Sequence, residues 1–320
     1  LPAELFIDIL TYALYNHPTP SDVLCLAQSF YTVGLRILHA DLRLRTVRQL
    51  AQFSAPQESP EVRLACAPKT LSLSLPGGTA TSDVFLLLAK ALRRCSAALN
   101  ELSADEGHRH GDTRVPLDVL RLCLHSHMRI DVQHIYDALI LVDPRTFIWT
   151  GPDPPHHFSI AITPEAVAQL FRAIRTWSHI THIKLANLSF PEEHIAGAGA
   201  SLSVVTAPLL PPIPSLRTLA LGKTVFLPPD AIAAMICPLI PGQEAMDALE
   251  LIHLVDAYRG SIWGPRIRRS DIERAASMLA RAQCQGEDTA VAERAEAEVI
   301  SRVRRIVRCE AVTERLMGGD

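Results

Sequence analysis

Six short phrases that alternate apolar with other residues recur along the middle of this chain: "KTLSLSL", "LDVLRLCL", "RTFIWT", "ITHIKLAN", "LRTLALG" and "DALELIHL". A period of two is what a strand with one buried face requires. Their first core positions are Leu71, Leu120, Phe147, Ile183, Leu219 and Leu249, separated by 49, 27, 36, 36 and 30 residues. Helical patterns fill the intervals. "SDVFLLLAKALRRC" opens on Ser82, "DVQHIYDALILV" on Asp131 and "TPEAVAQLFRAIRTW" on Thr163 ahead of Pro164, while "PPDAIAAMICPLI" follows the fifth phrase. Ser, Asp and Thr supply the acceptor a helix start needs, and proline fits the first turn.

Strand, loop and helix repeating about every 30 residues predicts an α/β chain wound as an irregular leucine-rich-repeat-like solenoid. An ordinary doubly wound sheet is the alternative, since it also alternates strand and helix. With the leucines inward, the exposed strand face carries Ser72, Arg121, Cys123, Ile148, His182, Lys184, Ala220 and Glu250. Such a mixed surface suits a specific protein substrate better than a polyanion. Taken singly, each of these residues is better explained by an ordinary solvated sheet face.

Of the 320 residues 48% are hydrophobic and 20% charged, which excludes a disordered chain. The formal net charge of −3 argues against a generally basic surface, so no nucleic-acid partner is expected. No apolar run approaches bilayer-spanning length, so no membrane partner is expected either. The seven cysteines form no C-x-x-C and suit a reducing compartment, cytoplasmic and/or nuclear.

Catalytic and metal motifs are missing. In "CLHSH", Cys123, His125 and His127 share one face of an extended chain, but no fourth zinc ligand is evident. "AGAGAS" has Gly197 and Gly199 but Leu202 in place of the third glycine of a dinucleotide fingerprint. There is no phosphate loop and no G-x-S-x-G elbow. The reading is therefore no catalytic residue, no metal, no cofactor and no enzyme. A hydrolase or transferase built on a true α/β sheet is the rival.

The first fifty residues differ from the middle. In "LPAELFIDIL", Leu5, Phe6, Ile9 and Leu10, followed by Ala13 and Leu14, recur at helical spacing. "TPSD" starts a second helix at Thr19 and Pro20, with Asp22 as capping-box acceptor and Val23, Leu26, Ala27 and Phe30 on its buried face. A third segment holds Ile37, Leu38, Leu42 and Leu44. Together "LPAELFIDIL…SDVLCLAQSFYTVG…LHADLRL" resembles the F-box, especially fungal F-box-like variants. The resemblance implies docking on the Skp-type adaptor of a cullin–RING ubiquitin ligase through Leu1, Pro2, Leu5, Ile9, Val23, Leu24, Ala27 and Phe30. Phe30 stands where many members carry Trp, and Tyr12 to Pro20 is longer than in compact F-boxes. The chain is also similar to F-box proteins whose second half is a leucine-rich-repeat array. That likeness implies a substrate-receptor subunit of a Skp–cullin–F-box type ligase. A plain interaction scaffold without a ligase role is the alternative.

The tail is basic around Trp263 and then reads as one charged helix, "TAVAERAEAEVISRVRRIVRCEAVTERL". It has a stripe of Ala292, Ala295, Val299, Val303 and Ile306, and a Glu298–Arg302 pair at i,i+4. The expected organisation is thus an adaptor-binding helical module over 1–54, a solenoid over 55–265 and a helical cap over 266–320.

Overall fold

A computed structural model describes residues 2–55, 64–75, 83–105, 114–126, 132–153, 158–191, 207–237, 246–284 and 288–313. Three helices open the chain: α1 (Ala3–Asn16), α2 (Pro20–Leu24) and α3 (Gln28–Ala40). Then follow β1 (Asp41–Leu44), α4 (Val47–Ser54), β2 (Thr70–Ser74), α5 (Val84–Asp105), β3 (Val115–Cys123), α6 (Gln133–Leu139) and β4 (Val142–Thr150). The second half holds α7 (Pro164–Ile174), β5 (His182–Ser189), β6 (Thr218–Val225), α8 (Pro229–Ile236) and β7 (Leu251–Ala257). It closes with α9 (Arg269–Gln283), α10 (Thr289–Ile306) and β8 (Val307–Glu310).

All eight strands form one sheet in the order β1 to β8, and every pairing is parallel. This overturns the expected fold class of an F-box-like helical module, an irregular leucine-rich-repeat-like solenoid and a separate helical cap. A single α/β sheet with interleaved helices runs through all three segments. It begins with β1 inside 1–54 and ends with β8 inside 266–320. The Leu-x-Leu alternation reports only that one strand face is buried, which any one-sided parallel sheet satisfies. "DLRL" and "VRCE" are strands of four residues directly continuing helices, so they read as parts of those helices.

The buried face is one continuous core. Leu71, Leu120, Phe147, Ile183 and Leu219 stand in register on adjacent strands, joined by Leu42, Ile252 and Val307. Against them pack Leu50 of α4, Leu88 and Leu92 of α5, Ile135 of α6, Leu170 of α7, Ile232 of α8 and Ile272 of α9. In a sequential parallel order, crossovers of one hand place every helix on the same side. Trp149 and Trp177 lie in this core, each donating its indole N–H to a backbone carbonyl, Leu124 at 3.1 Å and Leu139 at 3.0 Å.

The last core position differs from expectation. Ile252 rather than Leu249 aligns with Leu219, so β7 starts two residues after Leu249. In the tail Arg302 does not turn to Glu298. It reaches Asp247 at 3.6 Å and the Met246 carbonyl at 2.9 Å, tying α10 to the approach of β7. Ser82 and Asp131 lie outside the described residues, and Thr163 makes no side-chain cap on α7.

The opening helices build a second, small core of Leu10, Leu14 and Val23, with Phe6 and Phe30 edge-to-face at 5.2 Å. The second expected helix is two. Ala27, extended at φ −161°, separates α2 from α3 and takes Leu26 out of the core. Thr19 bonds the Asp22 carboxylate instead of capping α2. Gly34 permits close packing, because a Cβ there would lie 2.4 Å from a Leu24 methyl. The helices are stitched to the sheet at Tyr15. The Arg43 guanidinium lies 3.8 Å over its ring, and Asp41 holds Arg43 at 2.6 Å. Burial and the neighbouring Asp41 carboxylate push the Tyr15 phenol up to about 12.

A buried carboxylate ties β4 to the turn after α7. Asp143 accepts from the Ser178 and His179 amides at 2.9 and 3.1 Å, the Ser178 hydroxyl at 2.5 Å and the His179 ring at 2.7 Å. Burial alone would raise its pKa, but these bonds outweigh it and hold the carboxyl below the usual carboxylate range. A folded-state pKa below the unfolded one stabilises at neutral pH, and that contribution is lost as pH falls through the folded value. Acid unfolding followed by circular dichroism should therefore show a shallower loss of stability below about pH 4 in Asp143→Asn than in the parent, because asparagine has no such proton to take up.

Candidate interaction surfaces

Among the described residues no helix covers the sheet face opposite the core. Arg43, Ser72, Arg121, Ile148, Lys184, Ala220, His253 and Arg308 are successive register partners across all eight strands, and none is buried. At about 4.8 Å per strand this row is roughly 34 Å long. One row towards the strand starts lie Asp41, Thr70, Val119, Thr146, His182 and Thr218. On the other side lie Ser74, Cys123 and Thr150.

The expected substrate-face residues Ser72, Arg121, Cys123, Ile148, His182, Lys184 and Ala220 all belong to these rows. Glu250 does not. It precedes β7, exposed and 3.4 Å from Arg217, and His253 takes the row position. Sequence reading also misses Arg43 and Arg308, because their strands were read as helix. The signal was the apolar alternation of Leu42 with Leu44 and of Val307 with Cys309.

The row is locally basic despite the acidic total. Arg43 is satisfied by Asp41, and the His253 Nε2 lies 3.1 Å from Glu310. Arg121, Lys184 and Arg308 have no ion pair among the described residues. Towards β1 the face deepens into a cleft of about 730 Å³ that includes Arg43, Lys69 and Arg121 with Asp41 and Asp118.

The face ends abruptly at its carboxyl edge. Asn187, Lys223 and Asp256 occupy corresponding places on β5, β6 and β7 with φ of 63°, 48° and 49°. Left-handed backbone at non-glycine residues costs of order 1–3 kcal/mol each and persists only where surroundings enforce it. Here it breaks the alternation, so Asn187, Leu188 and Ser189 are all buried, as are Asp256 and Ala257. Asn187 donates to the Ser159 carbonyl at 3.0 Å. Asp256 accepts from the Val312 and Thr313 amides at 3.2 and 3.0 Å and pairs with Arg266 at 3.2 Å.

The same edge holds the nearest approach to catalytic chemistry. His125 Nε2 lies 3.4 Å from the Asp153 carboxylate, which also accepts the Ser159 hydroxyl. A nucleophilic serine needs its hydroxyl on the imidazole, and Ser159 gives its proton to the carboxylate instead. His127, Gly197, Gly199 and Leu202 fall outside the described residues. Among the described residues no three His, Cys, Asp or Glu side chains are disposed to hold a metal ion. No helix among them is long and apolar enough to cross a membrane.

At the opposite end, α1 shows two apolar faces. Leu10 and Leu14 point into the small core, whereas Leu5, Ile9 and Tyr12 are 51%, 60% and 73% exposed. Leu26 and Tyr31 add exposed apolar area on the neighbouring turn and helix. Of the expected adaptor-binding residues, Pro2, Leu5, Ile9 and Ala27 are exposed, Leu24 and Phe30 half-buried and Val23 buried. Leu1 lies outside the described residues.

No family model matches this chain, and comparison with curated proteins finds no match.

Proposed function

We propose that this chain is a non-catalytic recruiting subunit, the substrate receptor of a Skp–cullin–F-box type ubiquitin ligase. The observation that carries the reading is the outward apolar stripe of Leu5, Ile9 and Tyr12. It sits on a helix whose other face already fills the module's own core. Leu26 and Tyr31 are also exposed, on the neighbouring turn and helix, and apolar exposure concentrated in this way marks an interaction site. The resemblance of the same helix to the F-box opening supports a Skp-type adaptor as its partner. The open sheet face, which starts beside this module at Arg43, supplies a long row of side chains for a protein substrate.

The mechanism is proximity. The receptor holds a substrate beside the ligase's ubiquitin-charged enzyme and raises its effective concentration there, with no bond chemistry of its own. Desolvated aromatic and aliphatic side chains supply the affinity at the adaptor, and polar groups on the sheet face supply selectivity.

Co-purification with a Skp-type adaptor tests the reading. The parent chain should retain the adaptor, and a Leu5→Asp, Ile9→Asp double variant should lose it. Both side chains are exposed, so the variant's unfolding midpoint should stay near the parent's. Failure of the parent to hold the adaptor overturns the reading, as does retention by the folded double variant.

A further inference from the structure

β8 is the last strand of the sheet, and its outer edge pairs with no strand among the described residues. That edge floors a second concavity, a cleft of about 1040 Å³ walled by the start of α9 and the end of α10. Five arginines line it, Arg266, Arg268, Arg269, Arg304 and Arg308, against two carboxylates, Glu273 and Glu310. Their engagements leave a surplus. Arg266 is bound to buried Asp256. Arg269 and Arg304 share Glu273, at 3.3 and 3.2 Å, and Glu310 faces His253. Arg268 and Arg308 are exposed and have no ion pair among the described residues.

We propose that this edge binds an extended acidic segment of a partner protein, added to the sheet as a strand beside β8. An open edge offers unpaired backbone N–H and C=O groups, and strand addition satisfies them while side chains on the incoming strand are read separately. Charge decides the occupant. A second copy would set one cleft with five arginines and two carboxylates against another, whereas carboxylates on the incoming strand meet Arg268 and Arg308. This proposal is independent of the adaptor reading, because it uses the far end of the sheet from α1.

Fluorescence anisotropy with three labelled peptides tests it. The first alternates Val and Glu, the second replaces each Glu with Lys, and the third keeps Glu but is N-methylated at alternate backbone nitrogens. The Val-Glu peptide should bind, more weakly as salt is raised, and the other two should not. Arg268→Glu and Arg308→Glu should each weaken binding roughly three- to fivefold, as expected for exposed ion pairs, with circular dichroism unchanged. Equal binding of the Lys peptide overturns the charge assignment, and equal binding of the N-methylated peptide overturns strand addition. Absence of binding by all three overturns both. Self-association of the unliganded chain that Arg308→Glu abolishes assigns the edge to a second copy and overturns the proposal.

Discussion

Replacing Trp149 with alanine should cost the fold about 4 kcal/mol, the cost of emptying a large aromatic site in a close-packed core. The side chain is fully buried at the centre of the sheet. Its ring lies 5.5 Å from Phe85 of α5 and 6.5 Å from Phe147, which in turn lies 5.0 Å from Trp177. The cluster therefore joins β4 to α5 and to the turn that follows α7. Truncation removes the ring and also leaves the Leu124 carbonyl without its indole donor. Trp149→Phe separates the two effects. It keeps most of the apolar volume and loses the hydrogen bond, so it should cost about 1–2 kcal/mol. Urea unfolding followed by circular dichroism measures both. A loss below about 1 kcal/mol for Trp149→Ala would mean that the site collapses without harm, contrary to the packing described.

Asp256→Ala should cost nearly as much, about 3–5 kcal/mol, for a different reason. Its carboxylate is buried, pairs with Arg266 and accepts two backbone amides and the Thr313 hydroxyl. Alanine leaves the guanidinium without its counter-charge and the two amides without an acceptor. It also forces a β-carbon residue without local hydrogen bonding to hold φ near 49°. Asp256→Asn keeps an acceptor and tolerates the left-handed conformation, so it should lose roughly half as much. The same denaturation experiment discriminates. Equal losses for the two variants would assign the effect to charge alone, and negligible loss in both would remove Asp256 as an anchor of the segment behind β8.

The middle of the fold is legible in the sequence because Leu71, Leu120, Phe147, Ile183 and Leu219 need only period-two alternation to be recognised. The two ends of the sheet are not. β1 and β8 offer four residues each, too few to stand out from the helices they continue. The slip from Leu249 to Ile252 has a related cause. "DALELIHL" offers apolar residues in both frames, Leu249 and Leu251 in one and Ile252 and Leu254 in the other, and pairing with β6 decides between them. In α1 the sequence names the apolar positions and not their directions. Leu10 and Leu14 face inward only because α2 and α3 pack there, leaving Leu5 and Ile9 outside. The left-handed places at Asn187, Lys223 and Asp256 carry no glycine to announce them. The basic row is hidden by an acidic total, since register, not composition, gathers Arg43, Arg121, Lys184 and Arg308.

Strand order has a consequence for how this molecule comes apart. Among the described residues each strand pairs only with its chain neighbours, and β1 and β8 do not meet. Opening of such a structure starts at the termini of the array and moves inward, with β1 and β8 exchanging their amides before β4 does. The α1 stripe and the β8 edge adjoin those two ends. A partner that binds only the ordered ends adds its binding free energy to their stability, so occupancy at either end lengthens the cooperatively folded part of the chain.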